Sequence, residues 1–183
     1  MKKKSIMSGI LVGLGVVVNT LSTNPFVGAM LFSIALLIIV ECSLPLFTGR
    51  VGFIDYKDEI PNLLIILLYN CLGINIPIIL AIPKEGFYEA LCLASTYKFS
   101  FNALELFMFA IPCGALMFLA VHCKNQLITV FCVMVFILSK WEHCIALFPY
   151  LCTTKFSVVN LFKFLSVVVG NSVGAICTRK LIS

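Results

Sequence analysis

The sequence predicts an all-α integral membrane protein in which six transmembrane helices form two inverted three-helix repeats, with helices 2 and 5 broken. Three observations predict this fold. First, 61% of the 183 residues are hydrophobic and 11% are charged, whereas soluble domains are about 45–50% apolar and about 25% charged. Second, apolar runs long enough to cross a bilayer recur along the whole chain. Third, small and amide residues recur at a fixed offset, which predicts one transmembrane channel domain at 1–183 with repeats at about 1–96 and about 97–183.

Six apolar runs each approach the roughly 20 residues that a helix needs to cross the hydrocarbon core. The predicted spans are residues 6–21, 27–47, 61–82, 102–122, 126–148 and 159–178. The first run follows three lysines, as the apolar part of a signal peptide does, but the later runs favour a first transmembrane helix.

The positions of lysine and arginine predict that both termini are cytoplasmic, because basic residues concentrate in the cytoplasmic loops of membrane proteins. This orientation places one group of basic residues inside: Lys2, Lys3, Lys4, Arg50, Lys57, Lys124, Arg179 and Lys180. It leaves a smaller group outside: Lys84, Lys98 and Lys155. We therefore expect a multi-pass protein of the cell inner (plasma) membrane. Topology explains the basic residues, so no nucleic acid partner is predicted.

Small and amide residues of the first and third spans recur in the fourth and sixth spans. The matched pairs, each 101 residues apart (171 − 70), are Gly9 with Ala110, Gly13 with Gly114, Asn70 with Asn171 and Gly73 with Gly174. A half with three crossings re-enters the membrane upside down, so this duplication predicts an inverted repeat. The glycines also have a spacing that lets helices pack closely, which is the simpler interpretation of them.

The second span is predicted to break near its end. Its apolar run stops at Val40, and residues 41–50 include Glu41, Pro45 and Gly49. Proline lacks an N–H donor and glycine permits unusual dihedrals. At membrane depth, broken backbone is tolerated only where it is buried in protein or lines a watery cavity. An ordinary helix end at the interface is the alternative.

The fifth span is interrupted by Lys140, Trp141, Glu142 and His143. An ionisable group inside a membrane costs about 2.5–3.5 kcal/mol or more, so such groups are rare and usually functional. His143 is the leading candidate for the transport path, with a structural histidine bonded to a carbonyl as the alternative. Glu142 is expected either to orient a broken segment through backbone N–H groups or to pair with Lys140.

Other polar residues have more than one interpretation. Asn70 and Asn171 are supporting polar residues that either hold the broken segments or bond simply between helices. His122 is expected to be a wetted surface residue. The nine cysteines are scattered singly, so neither a disulfide framework nor a metal site is predicted. The spans show no carboxylate pair or nucleophile–base arrangement, so we expect no enzyme and no cofactor.

In this order, the segments resemble the formate/nitrite transporter family. The resemblance rests on the broken second helix, on the end of the fourth helix, on the Phe-Glu-His-Ser segment of the fifth helix, and on the asparagine–glycine pairs of the third and sixth. The corresponding residues are Leu46-Phe47-Thr48-Gly49, Leu119-Ala120-Val121-His122, Trp141-Glu142-His143-Cys144, Asn70-x-x-Gly73 and Asn171-x-x-Gly174. The resemblance implies an aquaporin-like fold and a homopentamer in a lipid bilayer, with one pore through each protomer.

The resemblance also implies roles for particular residues. Thr48 and His143 become the polar centre of the pore, and Lys98 lies in an outer vestibule that attracts anions. Two hydrophobic constrictions flank the centre, the outer one formed by Phe32, Leu36 and Phe136 and the inner one by Leu46 and Phe47.

The expected cargo is a small monovalent anion or its weak acid, namely formate, nitrite or hydrosulfide, passing as the neutral acid or coupled to a proton. A channel for small neutral solutes, such as water, urea or ammonia, is the alternative, and a membrane protein that transports nothing is a third possibility. Three departures leave the substrate open. Pro45 replaces the family's glutamate, and Gly114 and Leu147 each replace an asparagine, so the polar network must be built differently.

Overall fold

Helices make up most of the chain in the computed structural model, which describes residues 1–55, 57–155 and 157–183. Within these residues, nine α-helices are joined by short turns and by 3-10 segments at Val51–Phe53 and Lys57–Glu59. The helices are α1 (Lys2–Leu21), α2 (Pro25–Glu41), α3 (Phe47–Arg50), α4 (Ile60–Ala81), α5 (Phe87–Ser100), α6 (Ala103–His122), α7 (Gln126–Leu138), α8 (Cys144–Thr153) and α9 (Val158–Ile182).

Four helices, α1, α4, α6 and α9, are long and apolar enough to cross a membrane, and α2, α7 and α8 are shorter apolar helices. Large apolar side chains point outward from the long helices, including Leu68, Leu80, Leu104 and Phe162. A soluble protein rarely exposes continuous apolar surface of this kind. The exterior is therefore suited to contact with lipid chains.

The long helices pack in two pairs, α1 with α4 and α6 with α9, and glycines bring their backbones together. A methyl group at Gly9 would overlap the carbonyl oxygen of Asn70, and a methyl group at Gly114 would overlap the carbonyl oxygen of Asn171. Gly9 is therefore equivalent to Gly114, an offset of 105 residues (114 − 9). The predicted match of Gly9 with Ala110 is wrong by about one helical turn.

Helices α2 and α7 end in the same hydrogen-bonded turn. Behind α2, Ser43 N–H donates to Val40 and Leu44 N–H donates to Ile39, over 3.0 and 2.9 Å. Behind α7, the same two bonds run from Lys140 to Ile137 and from Trp141 to Phe136, both 3.0 Å. This pair of bonds defines a Schellman turn, which needs a left-handed residue after the helix. Ser43 has φ 50° and Lys140 has φ 55° in these positions.

After each turn the chain extends and then begins a new helix. Leu46 is extended immediately before α3, and His143 is extended immediately before α8. Pro45, which lacks an N–H donor, lies in the first of these non-helical segments. Residues 42–46 and 139–143 are thus equivalent interruptions of helical structure.

The stretch between the third and fourth predicted spans forms α5, a helix that hydropathy did not predict. Its buried residues, Phe87, Leu91, Ser95 and Phe99, recur every four residues and form one face. Ser95 donates its hydroxyl to the carbonyl of Tyr150 in α8 over 2.7 Å. The predicted repeat boundary at 96/97 falls inside this helix, which carries Lys98 toward the interruption before α8.

Candidate transport site

Thr48 and His143 meet at the centre of the molecule. Thr48 lies in the first turn of α3, and His143 is the residue that caps the N-terminus of α8. Thr48 Oγ1 and His143 Nε2 are 2.8 Å apart, and the two residues are only 1% and 4% exposed. The hydrogen bond joins the two interruptions and leaves no open passage between the side chains.

The other ring nitrogen of His143 settles the direction of this bond. Nδ1 accepts the backbone N–H of Ala146 over 3.2 Å, so a neutral ring carries its proton on Nε2. Nε2–H then donates to Thr48 Oγ1. Within the described residues the Thr48 hydroxyl has no other partner, so its own proton remains free to bond to a solute. The Phe136 ring stacks on the imidazole at 5.6 Å and 21° and holds its plane.

The Asn70 amide holds the interruption before α3. Its Oδ1 accepts the N–H of Phe47, the first residue of α3, over 2.9 Å. Its Nδ2 donates to the carbonyls of Ser5 at 2.7 Å and Pro45 at 3.0 Å. Broken backbone leaves groups without intrahelical partners, and this buried side chain supplies those partners.

The Asn171 amide holds the interruption before α8 in the same way. Its Oδ1 accepts the N–H of Cys144, the first residue of α8, over 2.8 Å. Its Nδ2 donates to the carbonyls of Ala110 and Glu142, each at 2.8 Å. The two amides therefore fix the backbone on either side of Thr48 and His143.

Lys98 and Glu142 form an ion pair beside this centre. Lys98 Nζ lies 2.7 Å from Glu142 Oε1, and the side chains are 21% and 5% exposed. Burial lowers the pKa of the Lys98 ammonium, but the charge and hydrogen bond of Glu142, together with Tyr150 and Cys113, raise the pKa above its ordinary value. Pairing with Lys140, one of the two roles considered for Glu142, is wrong, because α5 brings Lys98 to the carboxylate instead.

Two cavities open toward the centre from opposite ends of α2. The Lys98 vestibule, of about 650 Å³, is lined by the start of α2, by α5 and by residues 140–143. The His122 vestibule, of about 770 Å³, is lined by the end of α2, by the end of α3 and by the turn between α6 and α7. His122 lies at its wall, exposed, with its ring stacked on Phe118 at 5.2 Å.

The apolar residues predicted as constrictions are divided between the two vestibules. Phe32 and Phe136 line the Lys98 vestibule and meet edge to face, with ring centroids 6.0 Å apart. Leu36 and Leu46 line the His122 vestibule. Leu36 therefore lies with Leu46 and not with Phe32, one helical turn away. Phe47 is buried and lines neither vestibule.

Sequence reasoning missed several residues of the Lys98 vestibule. Tyr97, Trp141 and Tyr150 contribute aromatic walls to it. The Lys140 ammonium lies 5.4 Å from the centroid of the Tyr97 ring. Tyr97 lies off the buried face of α5, so the spacing of that helix carried no signal for it. Among the described residues, no group of three or more His, Cys, Asp or Glu side chains is arranged to hold a metal ion.

Comparisons with known proteins agree with one another. A family model described as "Formate/nitrite transporter" matches residues 2–182. A solved structure titled "FNT family ion channel" is similar with a TM-score of 0.84 and 22% identity, over 98% of this chain and 87% of that one. Another, "Pentameric formate channel with formate bound", has a TM-score of 0.72 and 20% identity, over 98% and 91%. At these identities the structures show a shared fold. No curated protein sequence matches the chain.

Proposed function

Because the chain belongs to the formate/nitrite transporter family, and is therefore a membrane transport protein and not an enzyme, we propose that it is a channel for small monovalent anions or their weak acids. Formate is the first candidate, and nitrite and hydrosulfide are the others. The buried Thr48–His143 hydrogen bond between two vestibules is the observation that carries this proposal. It is a polar, uncharged site in the middle of an apolar path.

The proposed path runs from the Lys98 vestibule past Phe32 and Phe136, through the Thr48–His143 pair, and past Leu46 into the His122 vestibule. An anion without its hydration shell is costly to move between apolar side chains. A weak acid avoids this cost by taking up a proton in the vestibule and crossing as a neutral molecule. The apolar residues then favour the acid over the anion.

The central pair can exchange its hydrogen bond for two bonds to a carboxylic acid. A carbonyl oxygen of the acid accepts Nε2–H from His143, while the acid hydroxyl donates to Thr48 Oγ1. Inserting the solute therefore keeps both His143 Nε2–H and Thr48 Oγ1 hydrogen-bonded, and buried groups that lose their partners are the main cost of such a site. A neutral acid with both a donor and an acceptor, such as formic acid, fits this exchange.

We also propose that α2 with α3, and α7 with α8, are the broken second and fifth of six crossings in an inverted repeat. The matching Schellman turns and the matching contacts of Asn70 and Asn171 support this arrangement. Both termini are then cytoplasmic, and the chain lies in the plasma membrane.

A homopentamer with a pore in each protomer is the proposed assembly. It is supported by the fold shared with a structure titled as a pentameric formate channel. The apolar exterior of the long helices supplies surface both for lipid and for neighbouring subunits.

A channel for neutral solutes is the second candidate, because Leu147 is buried on the wall of the Lys98 vestibule where the family has an asparagine. Its apolar side chain removes a polar group from the path. Water, urea or ammonia depends less on such a group than an acid does.

The experiment is a flux panel in proteoliposomes with formate, nitrite, hydrosulfide, lactate and urea at several pH values. Formate uptake that rises as the external pH falls supports passage of the weak acid, whereas urea flux that is indifferent to pH supports the second candidate. His143→Phe is expected to lower formate uptake at least about tenfold, because a buried donor is lost. His122→Phe makes the same change in the exposed histidine and serves as the control. Unchanged uptake and pH dependence in His143→Phe would remove His143 from the mechanism.

A further inference from the structure

We propose that Lys140, and not Lys98, is the cation that concentrates anions in the Lys98 vestibule and so favours anionic cargo over neutral solutes. This inference rests on the proposed transport function and assigns its attracting charge to a particular residue. The charge balance, the backbone and the position of the ammonium each support it.

The charges of the vestibule nearly cancel apart from Lys140. Its charged lining residues are Lys98, Lys140 and Glu142. The Lys98 and Glu142 charges lie 2.7 Å apart and offset each other. Among the described residues, Lys140 forms no ion pair, and its side chain is exposed. The net positive charge that an approaching anion meets is therefore that of Lys140.

The backbone conformation at position 140 favours glycine over lysine. Its φ of 55° lies in the left-handed region, which glycine adopts without steric penalty and which is disfavoured for a residue with a Cβ atom. The turn itself does not need a charge, since the equivalent position behind α2 holds Ser43 with φ 50°. A strained conformation of this kind persists where the surrounding structure supports it and where it serves a function.

The ammonium of Lys140 is held in place without being neutralised. It lies 5.4 Å from the centroid of the Tyr97 ring on α5, within the range of a cation–π contact. An aromatic ring fixes the position of an ammonium and leaves its full charge, whereas a carboxylate cancels it. Tyr97 also lines the vestibule, so the charge is presented to the entering solute.

The test measures formate uptake into proteoliposomes at low and high salt and compares Lys140→Gly and Ser43→Gly with the wild type. Lys140→Gly removes the charge and relaxes the backbone, and Ser43→Gly relaxes the equivalent turn without changing any charge. We expect Lys140→Gly to lower formate uptake about 2.4-fold to thirtyfold at 10 mM salt, the range for one unit charge about 8 Å away between an aqueous and a partly buried dielectric. At 1 M salt, where the Debye length is about 3 Å, the formate uptake of Lys140→Gly should differ from that of the wild type by less than twofold.

The control outcomes are equally specific. Ser43→Gly should transport formate as the wild type does, Lys140→Arg should restore the uptake that Lys140→Gly loses, and urea uptake should be the same in all variants. The inference is overturned if Lys140→Gly matches the wild type at low salt, if its defect persists at 1 M salt, or if Ser43→Gly is equally impaired. Wild-type protein that takes up no formate at any salt overturns the proposed function first, and this inference with it.

Discussion

Replacing Asn171 with leucine should destabilise the protein far more than the same change at Asn75. Leucine has the same branched arrangement of side-chain heavy atoms as asparagine but cannot bond to the Cys144 N–H or the Glu142 carbonyl, which Asn171 satisfies at 2.8 Å each. Each buried group left unpaired costs about 1–3 kcal/mol, so the expected loss is about 2–6 kcal/mol. The side chain of Asn75 makes one bond, to the Cys71 carbonyl of its own helix at 2.9 Å. Its replacement should cost at most about 1 kcal/mol.

The chain carries its own probes for the assay. Cys71, Cys113, Cys132 and Cys144 are free and buried, so a thiol-reactive dye reports their exposure as the purified protein is heated. For a chain of this size, about 1 kcal/mol corresponds to a shift of roughly 2–4 °C in Tm. Asn171→Leu should therefore melt about 4–24 °C below the wild type, and Asn75→Leu within about 4 °C. An Asn171→Leu protein that melts with the wild type and transports normally would refute the role given to this amide.

Two further predictions concern the centre and the ion pair. Thr48→Val should lower formate uptake about tenfold in a stopped-flow assay, because His143 Nε2–H loses its acceptor. Thr48→Ser keeps the hydroxyl and should keep most of the uptake. Equal uptake in both variants would contradict the role of the hydroxyl. Lys98→Met should lower stability in the dye assay by about 3–5 kcal/mol, because Glu142 is left as a buried unpaired charge. The double variant Lys98→Met/Glu142→Gln should recover much of that loss, and a double variant as unstable as the single one would argue against the pairing.

The sequence could indicate the centre of the site because its signals are local. Ionisable residues in an apolar run, and a proline and glycine at the end of another, mark Thr48 and His143 as unusual within a few residues of each. The family resemblance then pairs them. The amides of Asn70 and Asn171 were visible for the same reason, since polar side chains deep in apolar spans need partners.

The remaining features depend on how helices lie relative to one another. Helix α5 has 14 residues, too few for a span, and its spacing of buried residues was hidden by the polar residues between them. Without α5, nothing in the sequence could bring Lys98 to Glu142. The family resemblance grouped Leu36 with Phe32, but one turn advances about 5–6 Å along the axis, which is enough to move a side chain from one vestibule to the other.

The residue offset between the two halves of the proposed repeat also depends on helix packing that the sequence alone does not give. The helix-capping asparagines Asn24 and Asn125 are 101 residues apart (125 − 24), while the turn residues Ser43 and Lys140 are 97 apart (140 − 43). The difference arises because α2 has 17 residues and α7 has 13. A search at one fixed offset finds the third and sixth helices and misplaces the first and fourth by a turn.

The bond between Ala146 N–H and His143 Nδ1 ties the protonation of the imidazole to the first turn of α8. A second ring proton would sit on Nδ1 and face that N–H donor to donor, so forming the cation requires the turn to open. In the proposed mechanism, a ring held in this way would donate a hydrogen bond to the cargo and would not itself carry protons across. In the proposed passage of a weak acid, protons would then join the cargo in the water on one side and leave it on the other. At equilibrium, the concentration ratio of the acid and its anion across the bilayer would follow the pH difference between the two compartments.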